Sequence, residues 1–440
     1  MKSIHVKVWA IAWPMMLANI TTPLLGLVDA AVLGHLPEAY YLGAVAIGSA
    51  IFSFIFWSFG FLRMGTTGIV AQAFGENNYV AIQQCFYQSI IIALVIGTVV
   101  IICQSAIFWL GCLFFDPPSQ VNSELRIYYE IRIWSAPAVL INFTLIGWLI
   151  GVQRTRLPLL LTVIAHSTNI VLDILLVMVF KLNTAGVAIA TITADYLTLF
   201  IGLLCCSKVL NTLGQPLFTT ISIKGIKQLI LINKDLFFRS LCLLLCFAFF
   251  TAQGSRQGEQ ILAANALLIN FLLIISNGLD GFAHAAEALV GKAIGEKKLN
   301  HLQAAIKSTG IWSLVGSIFF MILFWLLGKQ IIFALTNIES VRELAITYLP
   351  WLIWLPLVTV WSYWLDGVFI GSVRTDLMMY TVLGSCLLIY LPVWWFTRQF
   401  DNTGLWLAFF SFLAARSLFS VAGFYYMSKK QAWFSCTSFK

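Results

Sequence analysis

The sequence predicts an all-α integral membrane protein: twelve transmembrane helices in two pseudo-symmetric six-helix lobes around a central cavity. Three observations carry this. The 440 residues are 60% hydrophobic and 10% charged, where a soluble domain has about 25% charged residues, and the mean hydropathy is +0.91. About twelve stretches reach the roughly 20 apolar residues that one spanning helix needs. The chain also matches itself at a constant shift of 220 residues.

The spans are read at 8–34, 42–74, 84–114, 125–152, 157–181, 185–206, 234–254, 259–292, 302–334, 341–371, 376–398 and 403–427. Segments such as "SIIIALVIGTVVIIC" show no period-two alternation, so a β-barrel is set aside. Helices satisfy their own backbone in lipid. The first apolar stretch is too long for a signal-peptide core and has no small-residue cleavage site, so it reads as a retained helix.

The repeat divides the chain. "IVAQAFGENN" from Ile69 matches "LVGKAIGEKK" from Leu289, and "LIGVQRTRLP" matches "FIGSVRTDLM"; Gly75 maps to Gly295, Gly151 to Gly371 and Arg154 to Arg374, always 220 apart. "NTAGVAIA" resembles "NTGLWLA" within a couple of residues of that shift. The expected organisation is a first lobe over 1–206, a cytoplasmic linker over 207–233 and a second lobe over 234–440. Six helices per half leave both halves in the same orientation, a parallel repeat of the kind that builds transporters with a cavity between lobes.

Lys and Arg set the orientation. With the N-terminus inside, the cytoplasmic turns carry Arg154, Arg156, Lys208, Lys224, Lys227, Lys234, Lys292, Lys297, Lys298 and Arg374, and the C-terminal tail carries Lys429, Lys430 and Lys440. The opposite turns "HLPEAYY" and "FDPPSQVNSEL" carry none. Both termini are therefore expected in the cytoplasm. The net charge of +8 fits attraction to anionic lipid headgroups; the basic residues are scattered over short turns, which argues against nucleic acid. Nine cysteines show no C-x-x-C and no Cys/His cluster. Cys242 and Cys246 share a helix face, and the cysteines read as small packed hydrophobes.

An ionised group inside a membrane is costly and so marks a candidate site. The first lobe offers Asp29, Asp173 and Asp195. Asn169 and Asp173 are four apart and share a face. At about 1.5 Å per residue, Asp29, Asn169, Asp173 and Thr191 fall at similar depth in the outer half of the first lobe. Two carboxylates, a carboxamide and a hydroxyl form a hard-oxygen set that can hold Na⁺ or a shared proton. Hydrogen bonding across helices is the alternative. The second lobe does not repeat these acids, for the shift takes Asp29 to Phe249 and Asp173 to Val393. It carries its own stripe, Asp280, His284 and Glu287, with Asp366 on another helix. These are a candidate polar or substrate site facing the cavity, or a structural network with Arg256 or Lys292. No second His or Cys has ligand spacing with His284, so no metal beyond Na⁺ is expected. Arg63 and Arg416 are embedded and are expected to pair with acids or carbonyls, with contact to substrate as the alternative. Pro14 and Pro23 interrupt helix 1, and a kink there is a candidate hinge.

The stretches "LVDAAVLGHL", "FGFLRMGTTGIVAQAFG", "NIVLDILLV", "GVAIAT", "LAANALL", "DGFAHAAEALVGKAIG" and "LDGVFIGSVRT" resemble the MATE family of multidrug and toxic compound extruders, closest to its DinF-like branch. The resemblance covers almost the whole chain. It implies twelve helices in two lobes and export of amphipathic or cationic compounds against an inward H⁺ or Na⁺ gradient. It also implies that Asp29, Asn169, Asp173 and Thr191 bind the coupling cation and that Pro14 is the helix 1 hinge. In the second lobe only Asp366 looks like a counterpart of acids used in other branches. The expected partners are small amphipathic or cationic substrates and membrane lipids, with a monomer in the bacterial inner membrane, no nucleic acid and no organic cofactor. The rival reading is a flippase for lipid or lipid-linked oligosaccharide, which shares the wider superfamily but calls for a cationic cavity; here the embedded acids outnumber the bases. An intramembrane enzyme is disfavoured, since no Asp-rich metal motif, H-E-x-x-H or G-x-S-x-G is present.

Overall fold

Long apolar runs punctuated by polar turns leave helix as the main solution, and helix follows helix along the chain. The computed structural model describes residues 2–34, 36, 38–214, 222–430 and 432–434. Side chains at Lys2, Ser3, Thr22–Leu25, Leu27, Ala30, Ala39 and Ala432 also fall outside the described set, Pro23 among them; so do Lys440 and residues 215–221 of the expected linker. Ten helical stretches among the described residues are long and apolar enough to cross a membrane. One of these, Thr375–Lys429, breaks at the 3₁₀ turn Arg398–Phe400 into two helices, and Lys2–Gly34 adds another.

The twelve are α1 (Lys2–Gly34), α2 (Tyr40–Gly75), α3 (Tyr79–Ile102), α4 (Ser119–Gly151), α5 (Arg156–Val179) and α6 (Asn183–Thr212), then α7 (Ile223–Ser255), α8 (Glu259–Gly295), α9 (Leu299–Leu335), α10 (Glu339–Gly371), α11 (375–397) and α12 (Asp401–Lys429). A short helix, Gln104–Phe115, extends α3. The expected linker is helical at both ends: residues 207–212 close α6 and residues 223–233 are the first turns of α7. Phe114, Trp325 and Phe396 expose 79%, 69% and 74% of their surface, an outward apolar coat that suits lipid rather than water.

The helices form two units, Leu17–Asn233 and the chain from Lys234 onward, and the latter also takes the residues up to Met16. The reason for that exchange lies at Gly281 of α8. A Cβ there would sit 2.3 Å from Met16 Cγ and 2.9 Å from the Ala12 carbonyl oxygen, so only glycine lets α1 approach. Trp9 then meets Phe282 and Trp312 edge-on at 5.6 and 5.1 Å, and the Trp312 indole N–H donates to His5 Nδ1 at 3.1 Å.

Within each unit the repeat is visible as atoms in contact. In the first, α4 crosses α2 where a Cβ on Gly147 would lie 2.3 Å from the Arg63 oxygen, and one on Gly151 would lie 2.7 Å from Val70 Cβ. In the second, α10 crosses α8 where a Cβ on Gly367 would lie 2.4 Å from the Ala283 oxygen, and one on Gly371 would lie 3.2 Å from Val290 Cβ. All four contacting pairs are related by the 220 shift. Both crossings use glycines four apart to bring backbones together, the small-residue packing of membrane helices. The helix ends repeat too. Asn77 and Lys297 adopt φ of 55° and 54°, and Gln153 and Val373 adopt 60° and 56°. Each carries a left-handed helix end of the Schellman type. Arg154 N–H donates to Leu149 O at 2.8 Å, and Arg374 N–H donates to Phe369 O at 2.9 Å. The conserved spacing of "GENN" and "GEKK" is thus a pair of matching helix caps.

Candidate functional site

The first unit gathers the predicted polar residues from three helices. Asn169 and Asp173, one turn apart on α5, are buried, with Asp173 fully so. Past Asp173 the helix loosens into a π-helical segment, Ile174–Val179, a backbone irregularity common at functional sites. Asn169 Nδ2 donates to Thr191 Oγ1 on α6 at 3.0 Å, and that hydroxyl donates to the Val187 carbonyl at 2.8 Å. The amide nitrogen is thereby tied to α6 and Asn169 Oδ1 points elsewhere. Asp29, on the part of α1 that belongs to this unit, places its carboxyl group against that of Asp173.

Four buried oxygens in this group, Asp29 Oδ1, Asn169 Oδ1 and both carboxylate oxygens of Asp173, accept no hydrogen bond among the described residues. Two adjoining buried carboxylates with unbonded oxygens are unfavourable in a low-dielectric interior. A proton shared between them or a hard cation held by the four oxygens would satisfy both. The donor set fits either, and contains no nitrogen or sulfur that would favour a transition metal.

The third acid of the unit, Asp195, has a different situation. Arg132 of α4 reaches it, Nη1 to Oδ2, at 2.7 Å. Arg132 also donates to Ser135, and its guanidinium lies over the rings of Phe52 and Phe56 at 5.6 and 5.5 Å. The helix tightens to a 3₁₀ turn at Ile133–Ser135, directly ahead of Pro137, which positions the arginine. The charge of Arg132 is felt at Asp29, yet the guanidinium is bonded to Asp195. Asp195 stands out in the sequence, but its partner does not. Arg132 stands in "YYEIRIWSAP", and the rule that singled out Arg63 and Arg416, an arginine well inside a span, would have found it.

The second unit brings its candidate residues together differently. Asp366 of α10 is bonded to both Arg239 of α7 and Arg416 of α12, the latter at 2.5 Å. Of the basic partners expected from sequence, Lys292 lies 3.9 Å from Glu296 and Arg256 is exposed. Arg239 sits in "DLFFRSLC" and was findable by the same rule. His284 Nδ1 and Glu287 Oε1 of α8 are 3.2 Å apart and buried. Asp280, partly exposed, joins Asp366 and Arg416 around Tyr363. The excess of acids over bases expected in the membrane interior is largely cancelled here, because Asp366 is outnumbered by its two arginines.

The MatE family model matches residues 14–175 and again 236–396, once on each half of the repeat. The chain belongs to the MatE family. It is 40% identical to DNA damage-inducible protein F of Escherichia coli (strain K12), over 98% of this chain and 94% of that protein. It is 24% identical to Protein DETOXIFICATION 44, chloroplastic, of Arabidopsis thaliana, over 94% of this chain and 81% of that one. A solved outward-facing multidrug resistance MATE family transporter of the MOP superfamily shares its fold, with a TM-score of 0.86 over 99% of this chain and 97% of its own, at 18% identity. This MatE protein is therefore a multi-pass membrane transporter and not an enzyme.

Proposed function

We propose that this protein is a secondary antiporter that exports amphipathic or cationic compounds in exchange for H⁺ or Na⁺. The observation that carries the proposal is the group of four buried, unbonded oxygens on Asp29, Asn169 and Asp173. Asp195, Glu287 and Asp366 each face a base, whereas this pair of carboxyls faces itself. Asp29 and Asp173 take the ion; Asn169 supplies a neutral oxygen; Thr191 orients Asn169 through its hydroxyl. Loading the site neutralises the two acids and removes their mutual repulsion. Because Asp29 rides on α1, the loaded and empty states favour different positions of that helix. Pro14 is the hinge: it lies two residues before the point at which α1 passes from one unit to the other. Coupling then follows if ion and cargo bias the same two states in opposite directions.

Asp366 is assigned to holding α7, α10 and α12 together, and Asp280, partly exposed beside Tyr363, to the cargo side. The lysine and arginine distribution supports cytoplasmic termini in a bacterial inner membrane, with a monomer as the working unit. The test is dye efflux from proteoliposomes under an imposed pH gradient and, separately, a Na⁺ gradient. Wild type should export with one of them, which names the ion, and Asp29→Asn should lose that dependence. Pro14→Ala should slow efflux in a protein that still folds. Gradient-driven efflux that survives in Asp29→Asn would remove the first unit from the coupling scheme, and folded wild type that exports under neither gradient would overturn antiport.

A further inference from the structure

The second unit holds a cluster that the transport reading does not use. Cys242 and Cys246 lie one turn apart on α7, and Cys386 faces them from α11. Their three sulfurs lie within 4.8 Å of one another, and Cys246 Sγ is 3.3 Å from Cys386 Sγ. Cys242 and Cys246 are 8% and 2% exposed, while Cys386 is partly exposed and gives a route in. The sequence placed two of the three on one face; the third is 140 residues further along and only packing brings it in. The positions 220 earlier hold Thr22, Gly26 and His166, so the cluster is not a relic of the duplication.

The backbone supports the arrangement. A π-helical segment, Cys386–Tyr390, begins at the third cysteine, and the Tyr390 hydroxyl donates to the Cys246 carbonyl oxygen at 3.4 Å. Metal–thiolate bonds of about 2.3 Å to a central atom would set three sulfurs about 4 Å apart in a plane, and closer in a pyramid. The 3.3 Å between Cys246 and Cys386 Sγ, with all three sulfurs within 4.8 Å, is compatible with that spacing.

We propose that Cys242, Cys246 and Cys386 bind a thiophilic trivalent metalloid, arsenic(III) or antimony(III), as a neutral three-sulfur complex that ties α7 to α11. Sulfur ligands select soft centres. The choice among soft centres is made by charge. Three thiolates leave two net negative charges around a monovalent metal, one around a divalent metal and none around a trivalent one. The cluster sits in an apolar core with Phe250, Leu268, Tyr390, Phe409 and Phe412, where a charged complex is costly. Arsenous acid reaches such a site uncharged. Its three As–O bonds break and three As–S bonds form, and each thiol proton leaves on a released hydroxide as water, with no change of oxidation state.

The test uses full-length reduced protein in detergent, titrated with arsenite. Intact-mass measurement should show one arsenic gained with three hydrogens lost, and alkylation mapping of the wild type should show all three cysteines protected together. The thermal transition should rise with arsenite concentration, as ligand linkage requires. Cys242→Ala, Cys246→Ala and Cys386→Ala should each abolish the one-arsenic adduct, and Cys103→Ala, at an exposed free cysteine, should keep it. An adduct retained in the single variants would overturn the proposal. So would alkylation of all three cysteines in the presence of arsenite, a reading that needs no variant, or binding of zinc(II) or copper(I) with none of arsenic.

Discussion

The two units are built on one plan and furnished differently. The α2–α4 and α8–α10 crossings rest on glycines at positions 220 apart, against partners also 220 apart. On that shared frame, the first unit holds Asp29, Asn169 and Asp173 with unbonded oxygens. The second unit has Phe249, Ile389 and Val393 at the matching positions, and Phe249 meets Trp394 and Tyr390 edge-on at 5.0 and 5.6 Å. Where one half leaves acids unsatisfied, the other packs rings. The second unit's buried acids each meet a base, Asp366 two arginines through Oδ2 and Glu287 His284, although Asp366 Oδ1 accepts no hydrogen bond among the described residues. The comparison teaches that a duplicated scaffold can keep its helix contacts while dividing labour: unsatisfied charge in one half, cohesion in the other.

That division can be broken most directly by exchanging its acids. Asp173→Asn should lower ion-driven efflux by about ten-fold or more and leave thermal stability unchanged or raised, since it removes a buried unpaired carboxylate. Asp366→Ala should do the reverse in order of severity. It strands Arg239 and Arg416, at a cost of about 3–5 kcal/mol, measured by thermal denaturation in detergent. If Asp173→Asn unfolds the protein and Asp366→Ala spares stability but abolishes transport, the assignment of roles is inverted.

A smaller effect sharpens the shared part of the comparison. Gly147→Val and Gly367→Val each put side-chain atoms into a facing backbone, and each should cost about 1–3 kcal/mol, or more where the helices cannot part. Similar losses would show that the repeat is energetic as well as geometric; tolerance of either one would confine the repeat to shape. The second unit carries a reciprocal amide pair where the matching first-unit positions are Val45 and Leu182: Asn265 and Asn402 exchange hydrogen bonds of 2.8 and 3.1 Å, and Trp406 Nε1 donates to Asn265 at 2.9 Å. Asn265→Ala leaves those groups unmatched and should cost about 1–3 kcal/mol, where Val45→Ala, 220 residues earlier, should cost less. The smallest effect belongs to the helix ends. Val373 holds a left-handed backbone that a β-branched residue resists, so Val373→Gly should stabilise by about 1 kcal/mol, and Gln153→Gly by less.

Much of this was legible in the chain itself. Helix is nearly obligatory for apolar runs of this length in lipid, and identical turn chemistry at a fixed offset reveals a duplication, which Asn77 and Lys297 express as matching left-handed caps. Asp29, Asn169, Asp173 and Thr191 were findable because charge inside a span is rare and depth follows from helix rise. Their partners were not. Whether Asp195 meets Arg132, or Asp366 meets Arg239 and Arg416, depends on how each helix is rotated about its axis and which neighbour it faces, and no local pattern encodes that. The same holds for Cys386, brought to Cys246 by packing alone, and for the start of α1, which joins the second unit because Gly281 admits Met16. Sequence by itself determined the helices, their repeat and the residues that lipid would not tolerate unpaired, because those follow from solvent and periodicity. Tertiary structure alone decided which of those charges meet a base on a neighbouring helix and which do not, because pairing is a property of distances across helices.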